Sequence, residues 1–191
     1  MASASIAQPM ISYALPQNPT ARLLVQIGLA LAGTLILTLA AKTKVELGFV
    51  DMSLQTLAVF LVGGVFGARL GVATLLLYMA EGAAGLPVFQ GEGAGLLYMA
   101  GPTGGYLLGF VLAAGIVGWA ADRGWDRSVT KLAGAVLLAE VVILGLGFVY
   151  LAGLIGVEKA WVGGVVPFIL PDLIKVAIAS LALPAAWALR R

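Results

Sequence analysis

Polar positions are sparse along this chain and fall mostly between long apolar runs. Residues 23–41 form an uncharged run of 19 residues. At 1.5 Å per residue such a run matches the roughly 30 Å hydrocarbon core of a bilayer. Five further runs follow: 52–68, between Asp51 and Arg69; 70–86, carrying Glu81 and ending at Pro87; 103–121, after Gly101-Pro102 and stopping at Asp122-Arg123; 132–155, containing Glu140; and 166–189, containing Asp172 and Lys175. The pattern predicts an all-α membrane protein with six transmembrane helices. Little more than Arg69-Leu70 separates the second run from the third, so these two are expected to fold as a tight helical hairpin. The longest connection is 87–102, with glycine at 91, 93, 95 and 101. Residues 1–22 are polar, include Pro9, Pro16 and Pro19, and lack the apolar core of a cleaved signal peptide. They read as a short flexible or interfacial arm before a transmembrane domain at 23–191, with the first span as the insertion signal. No internal repeat is apparent.

Composition strengthens this picture. The chain is 61% hydrophobic and 10% charged, whereas soluble domains carry about 25% charged residues. It therefore lacks the polar groups to cover its own surface in water. Cysteine and histidine are both absent, which leaves disulfides, thiolate metal sites, zinc hydrolysis and histidine acid–base chemistry without carriers. No metal is expected. A net charge of +2 gives no ground for nucleic-acid binding. The placement of the basic residues is more telling. With the N-terminus inside, seven of them (Arg22, Arg69, Arg123, Arg127, Lys131, Arg190 and Arg191) fall on the cytoplasmic side, against Lys42, Lys44 and Lys159 outside. The positive-inside rule thus predicts both termini in the cytoplasm.

Orientation also sets depth. Three acids and a lysine lie within apolar runs, where each is costly unless it faces the bundle interior or a wet cavity. Glu81 falls in the outer half of the third span, and Asp172 and Lys175 in the outer third of the sixth. Gln55 opens the second span and Tyr106 the fourth, also near the outer face. Five polar side chains from four helices are thereby predicted at similar depth, which marks a candidate site. Asp172 and Lys175 stand three apart and can touch on one helix face; Pro171, just before them, suits a first turn. Two readings stand for this pair: an ion pair that neutralises two buried charges, or a receptor in which Lys175 meets an anionic group and Asp172 orients it or accepts a ligand N–H. Glu140 is placed toward the inner half of the fifth span, away from the cluster, and reads as structural. Trp119, Trp125, Trp161 and Trp187 read as interfacial anchors rather than ligand stackers. The first span carries Gly28-x-x-x-Ala32 and Ala30-x-x-x-Thr34, small residues suited either to internal packing or to docking another membrane protein.

Four ordered motifs carry a resemblance. The stretch Met52-Ser-Leu-Gln-Thr-Leu-Ala-Val-Phe60, the segment Leu77-Tyr-Met-Ala-Glu-Gly-Ala-Ala-Gly-Leu-Pro-Val-Phe89, Gly101-Pro-Thr-Gly-Gly-Tyr-Leu-Leu-Gly-Phe110 and Pro171-Asp-Leu-Ile-Lys175 resemble the BioY proteins, biotin-binding S components of energy-coupling-factor vitamin transporters. The likeness is nearly continuous over 52–110 and departs at Asp51-Met52-Ser53, where the family pattern has Pro-Met-Thr. It implies a compact six-helix bundle in the cell membrane with a biotin pocket at its extracellular side and no cofactor of its own. It also implies as partners a transmembrane coupling subunit and two ATPase subunits, or self-association where the protein works alone. Carried over by position, Asp172 and Lys175 match ligand-binding positions, and Glu81, Gln55 and Tyr106 join them. Phe89 or Tyr98, from the 87–102 connection, is expected to cover the apolar bicycle of biotin. Gly28, Ala30, Ala32 and Thr34 become a candidate partner-docking stripe. The residues alone leave other readings open: a carrier of another anionic vitamin, an intramembrane enzyme using Glu81 and Asp172 as a carboxylate pair, or an assembly protein whose charges fix helix register. No G-x-x-x-x-G-K-[ST] motif occurs in these residues, so ATP hydrolysis is not expected of this chain itself.

Overall fold

In a lipid solvent, backbone N–H and C=O groups must be satisfied within the chain, and a helix does this segment by segment. The structure, a computed structural model, describes residues 8–46 and 51–190. Seven α-helices run through them: α1 (Pro19–Lys42), α2 (Gln55–Ala83), α3 (Gly95–Met99), α4 (Gly104–Asp122), α5 (Val129–Ile155), α6 (Val157–Gly164) and α7 (Val166–Leu189). Between α1 and α2, two three-residue strands, β1 (Lys44–Glu46) and β2 (Asp51–Ser53), pair antiparallel with Val45 opposite Met52. Five helical segments are long and apolar enough to cross a bilayer: α1, α2, α4, α5 and the α6–α7 run.

Helix α2 crosses twice. At Gly67 the backbone leaves helical geometry, with φ 78° and ψ 174°. A straight helix would hold Gln55 and Tyr78 about 35 Å apart, yet Gln55 Nε2 donates to the Tyr78 hydroxyl at 3.0 Å. Residues 55–66 and 68–83 are therefore the two arms of the expected hairpin, and the six crossings are present. Positive φ makes glycine the fitting residue at the turn. Asp122, at the end of α4, accepts from the Ala68 N–H at 3.2 Å and so caps the second arm. Helix α4 reaches the turn because Gly118 has no side chain: a Cβ there would stand 2.5 Å from Ala68 N.

Helix α4 lies between α2 and α5 and makes the core with them, through Phe60, Leu75, Val117 and Val136, all fully buried or nearly so. Helix α1 is peripheral. Its buried positions, Ala30, Gly33, Thr34, Leu37 and Ala41, follow helical spacing along one face, while Leu24, Leu31 and Leu35 are exposed as a lipid-facing helix requires. This face divides the small-residue stripe. Ala30 and Thr34 turn inward onto the chain's own bundle, and Gly28 and Ala32 remain exposed.

The first helix starts at Pro19, earlier than the apolar run at 23, because Asn18 caps it by accepting from Thr20 N (2.9 Å) and Ala21 N (3.2 Å). The described part of the N-terminal arm is folded against the end of the bundle where the hairpin turns. Met10–Ala14 forms a 3-10 helix, Tyr13 packs edge-on against Trp187, and Arg190 donates to the Met10 carbonyl. Residues 1–7 lie outside the described residues. At this same end Arg123 covers Trp119 and Arg127 covers Trp187, at 3.7 and 4.3 Å from the ring centroids. Asp126 accepts from Trp187 Nε1, and burial pushes its carboxyl up from the ordinary value against that bond and the Arg127 charge. Helix α6 is an element that hydropathy alone did not separate. Gly156, with φ 89°, ends α5, and α6 then lays Trp161 against Phe148.

Candidate functional site

At the end of the bundle away from the hairpin turn, the helix starts do not close on one another. They leave a cavity of about 230 Å³ between α2, α4, α5 and α7, roofed by the 87–102 connection. Pockets for drug-sized ligands run to about 300–1,000 Å³, so this one suits a compact molecule. Six of the seven predicted ligand residues line it: Gln55, Phe89, Tyr98, Tyr106, Asp172 and Lys175. Apolar walls come from Leu107, Phe110, Ile143 and Phe168.

The charged part of the wall comes from one turn of α7. Lys175 Nζ donates to Asp172 Oδ1 at 2.8 Å, and both residues are 3% exposed. An ammonium has three donors and this bond takes one, so the pair remains able to meet a ligand. Pro171 sits inside α7 rather than in its first turn, because the helix already begins at Val166. Lacking an N–H, it leaves the carbonyl of residue 167 without its i+4 donor, one turn from the ion pair.

Gln55 is held by a residue that sequence reasoning did not single out. Tyr78, fully buried, accepts from Gln55 Nε2 at 3.0 Å and donates to the Val88 carbonyl at 2.8 Å. One hydroxyl thus fixes both the amide of Gln55 and the start of the roof. The signal available in the sequence was a tyrosine inside a span, whose O–H must find a partner once buried. From Val88 the roof continues through Phe89, which meets Tyr78 edge-on and stacks on Tyr98 with centroids 5.1 Å apart. Lys42 at the end of α1 donates to the Gly91 carbonyl at 2.7 Å and ties the roof from outside. Tyr106 lines the cavity with its ring, while its hydroxyl donates to the Gly164 carbonyl at 2.6 Å and holds the α6–α7 junction in place. Thr103 is a second residue missed by sequence reasoning; it lines the cavity and its buried hydroxyl has no partner.

Glu81 does not line the cavity. It faces α1, where the Thr34 hydroxyl donates to Oε1 at 3.1 Å, and it stays partly exposed. Its register in the second hairpin arm points it to the outer side of the bundle, which depth alone did not reveal. Glu140 corrects the expectation in the opposite sense. It is buried, and Asp172 and Lys175 are its charged neighbours, so it is not remote from the cluster. The reason is arithmetic along antiparallel helices. Glu140 stands 11 residues from the start of α5 and Lys175 stands 14 from the end of α7, a difference in height of about 5 Å. None of the four tryptophans lines the cavity.

Comparison with known proteins adds a family to this geometry. The BioY family model matches residues 13–191. A protein of Pyrococcus horikoshii named "Probable biotin transporter BioY" is 40% identical over 142 residues, 74% of this chain and 83% of that relative. The "Biotin transporter BioY" of Thermotoga maritima is 37% identical over 155 residues, 78% of this chain and 87% of its own length. Among solved structures, the S-component for biotin from an ECF-type ABC transporter superposes with a TM-score of 0.76, covering 91% of this chain and 95% of that one at 20% identity. The fold is shared with that S-component, and on the family match and these identities the chain belongs to the BioY family.

Proposed function

We propose that this chain is a biotin-uptake subunit, an S component that captures biotin in the cavity at the outer end of the bundle and delivers it inward. The observation that carries the reading is the buried Asp172–Lys175 pair in the wall of an otherwise mostly apolar cavity of about 230 Å³. Biotin offers a carboxylate at one end and a bicyclic urea and thioether at the other. Lys175 receives the carboxylate through a charge-assisted bond, strong where water is excluded. Asp172, bonded to Lys175 at 2.8 Å, orients that ammonium toward the carboxylate, and Gln55 meets the ureido group at the other end with its carbonyl oxygen, one of its two amide N–H bonds being given to Tyr78. The stacked Phe89 and Tyr98 cover the apolar bicycle. Both termini lie in the cytoplasm of a cell membrane, in line with the basic residues gathered at the hairpin-turn end. Transport is energised by a transmembrane coupling subunit and two ATPase subunits, or proceeds alone through self-association. The exposed part of the α1 stripe, Gly28 and Ala32, is the close-approach surface for such a partner.

Calorimetry of biotin with the purified chain in detergent tests the reading, beside Lys175→Ala and Asp172→Asn. One site is expected, weakened by roughly 1.5–3 kcal/mol when the charged hydrogen bond of Lys175 is removed. A folded sample that takes up no biotin would overturn the assignment. Binding indifferent to Lys175 would move the carboxylate elsewhere.

A further inference from the structure

The hairpin-turn end of the bundle carries a second hollow, of about 240 Å³, lined by Tyr13, Arg127, Trp187 and Arg190. Its two guanidiniums come from separate elements, Arg127 from the 3-10 turn before α5 and Arg190 from the residue after α7. Two aromatic rings hold them together. Arg127 lies over Trp187 at 4.3 Å and Arg190 over Tyr13 at 4.7 Å. The rings meet edge-on with centroids 5.7 Å apart, and Arg127 also reaches the Tyr13 hydroxyl at 3.5 Å. One tyrosine therefore touches both cations. Among the described residues neither arginine forms a salt bridge. The two acidic side chains of this end are engaged elsewhere: Asp122 accepts from the Ala68 N–H, and the buried Asp126 from Trp187 Nε1. Arg190 gives one donor to the Met10 carbonyl. A guanidinium has five, so both keep donors for a ligand.

Two stacked guanidiniums with free donors suit a tetrahedral oxyanion, because a planar fork bonds phosphate oxygens in pairs. Position indicates the source of the phosphate. Trp187 is an interfacial side chain, and Leu189, beside Arg190, is 91% exposed, so the hollow opens where headgroups meet hydrocarbon. With this end cytoplasmic, as proposed above, it faces the leaflet whose surface is anionic. We propose that Arg127 and Arg190 form a binding site for the phosphate of an anionic phospholipid headgroup, with Tyr13 and Trp187 as the aromatic floor that aligns the two guanidiniums. A bound headgroup also secures the N-terminal arm against the end of α7, since Tyr13 belongs to the arm. The site is independent of what the cavity at the other end holds.

Native mass spectrometry of the full chain in detergent, titrated with phosphatidylglycerol or phosphatidylcholine, tests this. Choline places a cation beside the arginines, so the first phosphatidylglycerol is expected to bind about twentyfold more tightly than phosphatidylcholine, the yield of two arginines near a lipid surface. Arg127→Gln and Arg190→Gln should each lose about fivefold, and the double variant the whole preference. Lys131→Gln removes the same charge at the same end, outside the hollow, and is expected to leave the preference unchanged. Equal affinity of the wild-type chain for the two lipids would overturn the proposal and leave the arginines as topology signals. A loss in Lys131→Gln as large as in the arginine variants would overturn it too, since the attraction would then be diffuse. Displacement of phosphatidylglycerol by millimolar inorganic phosphate, with the same dependence on the arginines, would assign the site to a free anion instead. A double variant that keeps its lipid preference but no longer assembles with coupling subunits would give the arginines to a protein partner. If the double variant does not fold, the single variants decide.

Discussion

Tyr78 illustrates how much one atom can hold. Its hydroxyl is donor to Val88 and acceptor for Gln55, so Tyr78→Phe leaves a carbonyl and an amide N–H unsatisfied in a dry interior. A cost of about 1–3 kcal/mol is expected from such orphaned groups, read as a lowered midpoint in detergent unfolding. Biotin affinity should fall with it, because Gln55 and the roof both lose their anchor. Lys175→Ala is expected to weaken binding and to lower the unfolding midpoint as well, since it leaves the buried Asp172 carboxylate without its partner. At this scale the sequence was informative about which residues are polar in apolar surroundings. It was less so about their direction. Gln55, Tyr106, Asp172 and Lys175 converge on one cavity, whereas Glu81 turns to Thr34 and Glu140 turns toward the pair. A side chain's direction depends on helix rotation, which an apolar run records poorly when lipid and core are both apolar.

Among the elements, the α2 hairpin depends on a turn of almost no length. Gly67→Ala places a Cβ on a backbone at φ 78° and ψ 174°, a region essentially reserved for glycine that costs about 1–3 kcal/mol, and drives it against Asp122 and Pro9. Asp122→Ala removes the cap of the second arm, at about 1 kcal/mol. The two are expected to be non-additive in a double-mutant unfolding cycle, since both act on the turn and touch each other. Additive losses would show that Asp122 acts elsewhere. The hairpin was legible because Arg69-Leu70 leaves no room for a loop, although the turn falls at Gly67, before that pair. Helix α6 was not legible: its eight residues are short, and their apolar positions merge with those of α7 in any hydropathy reading.

For the whole molecule, the cavity and the basic, tryptophan-lined band stand at opposite ends, and the proposed orientation puts the cavity outside. The natural absence of cysteine makes this directly measurable. A single Gly91→Cys substitution in the roof is expected to react with a membrane-impermeant maleimide in intact cells, and Ser128→Cys only after permeabilisation. The reverse labelling would invert the topology and with it the side of capture. From the sequence alone came the lipid solvent, the number of crossings, the hairpin and the residue types of the site, because each depends on composition and spacing along one segment. The resemblance of four motifs pointed to the family for the same reason. Tertiary structure decided what depends on two segments at once: the anchoring of Gln55 by Tyr78, the departure of Glu81 to α1, and the meeting of Glu140 with Asp172 and Lys175. Each of these is set by the relative rotation and height of packed helices, which close contacts such as Gly118 against Ala68 determine to within an ångström or so.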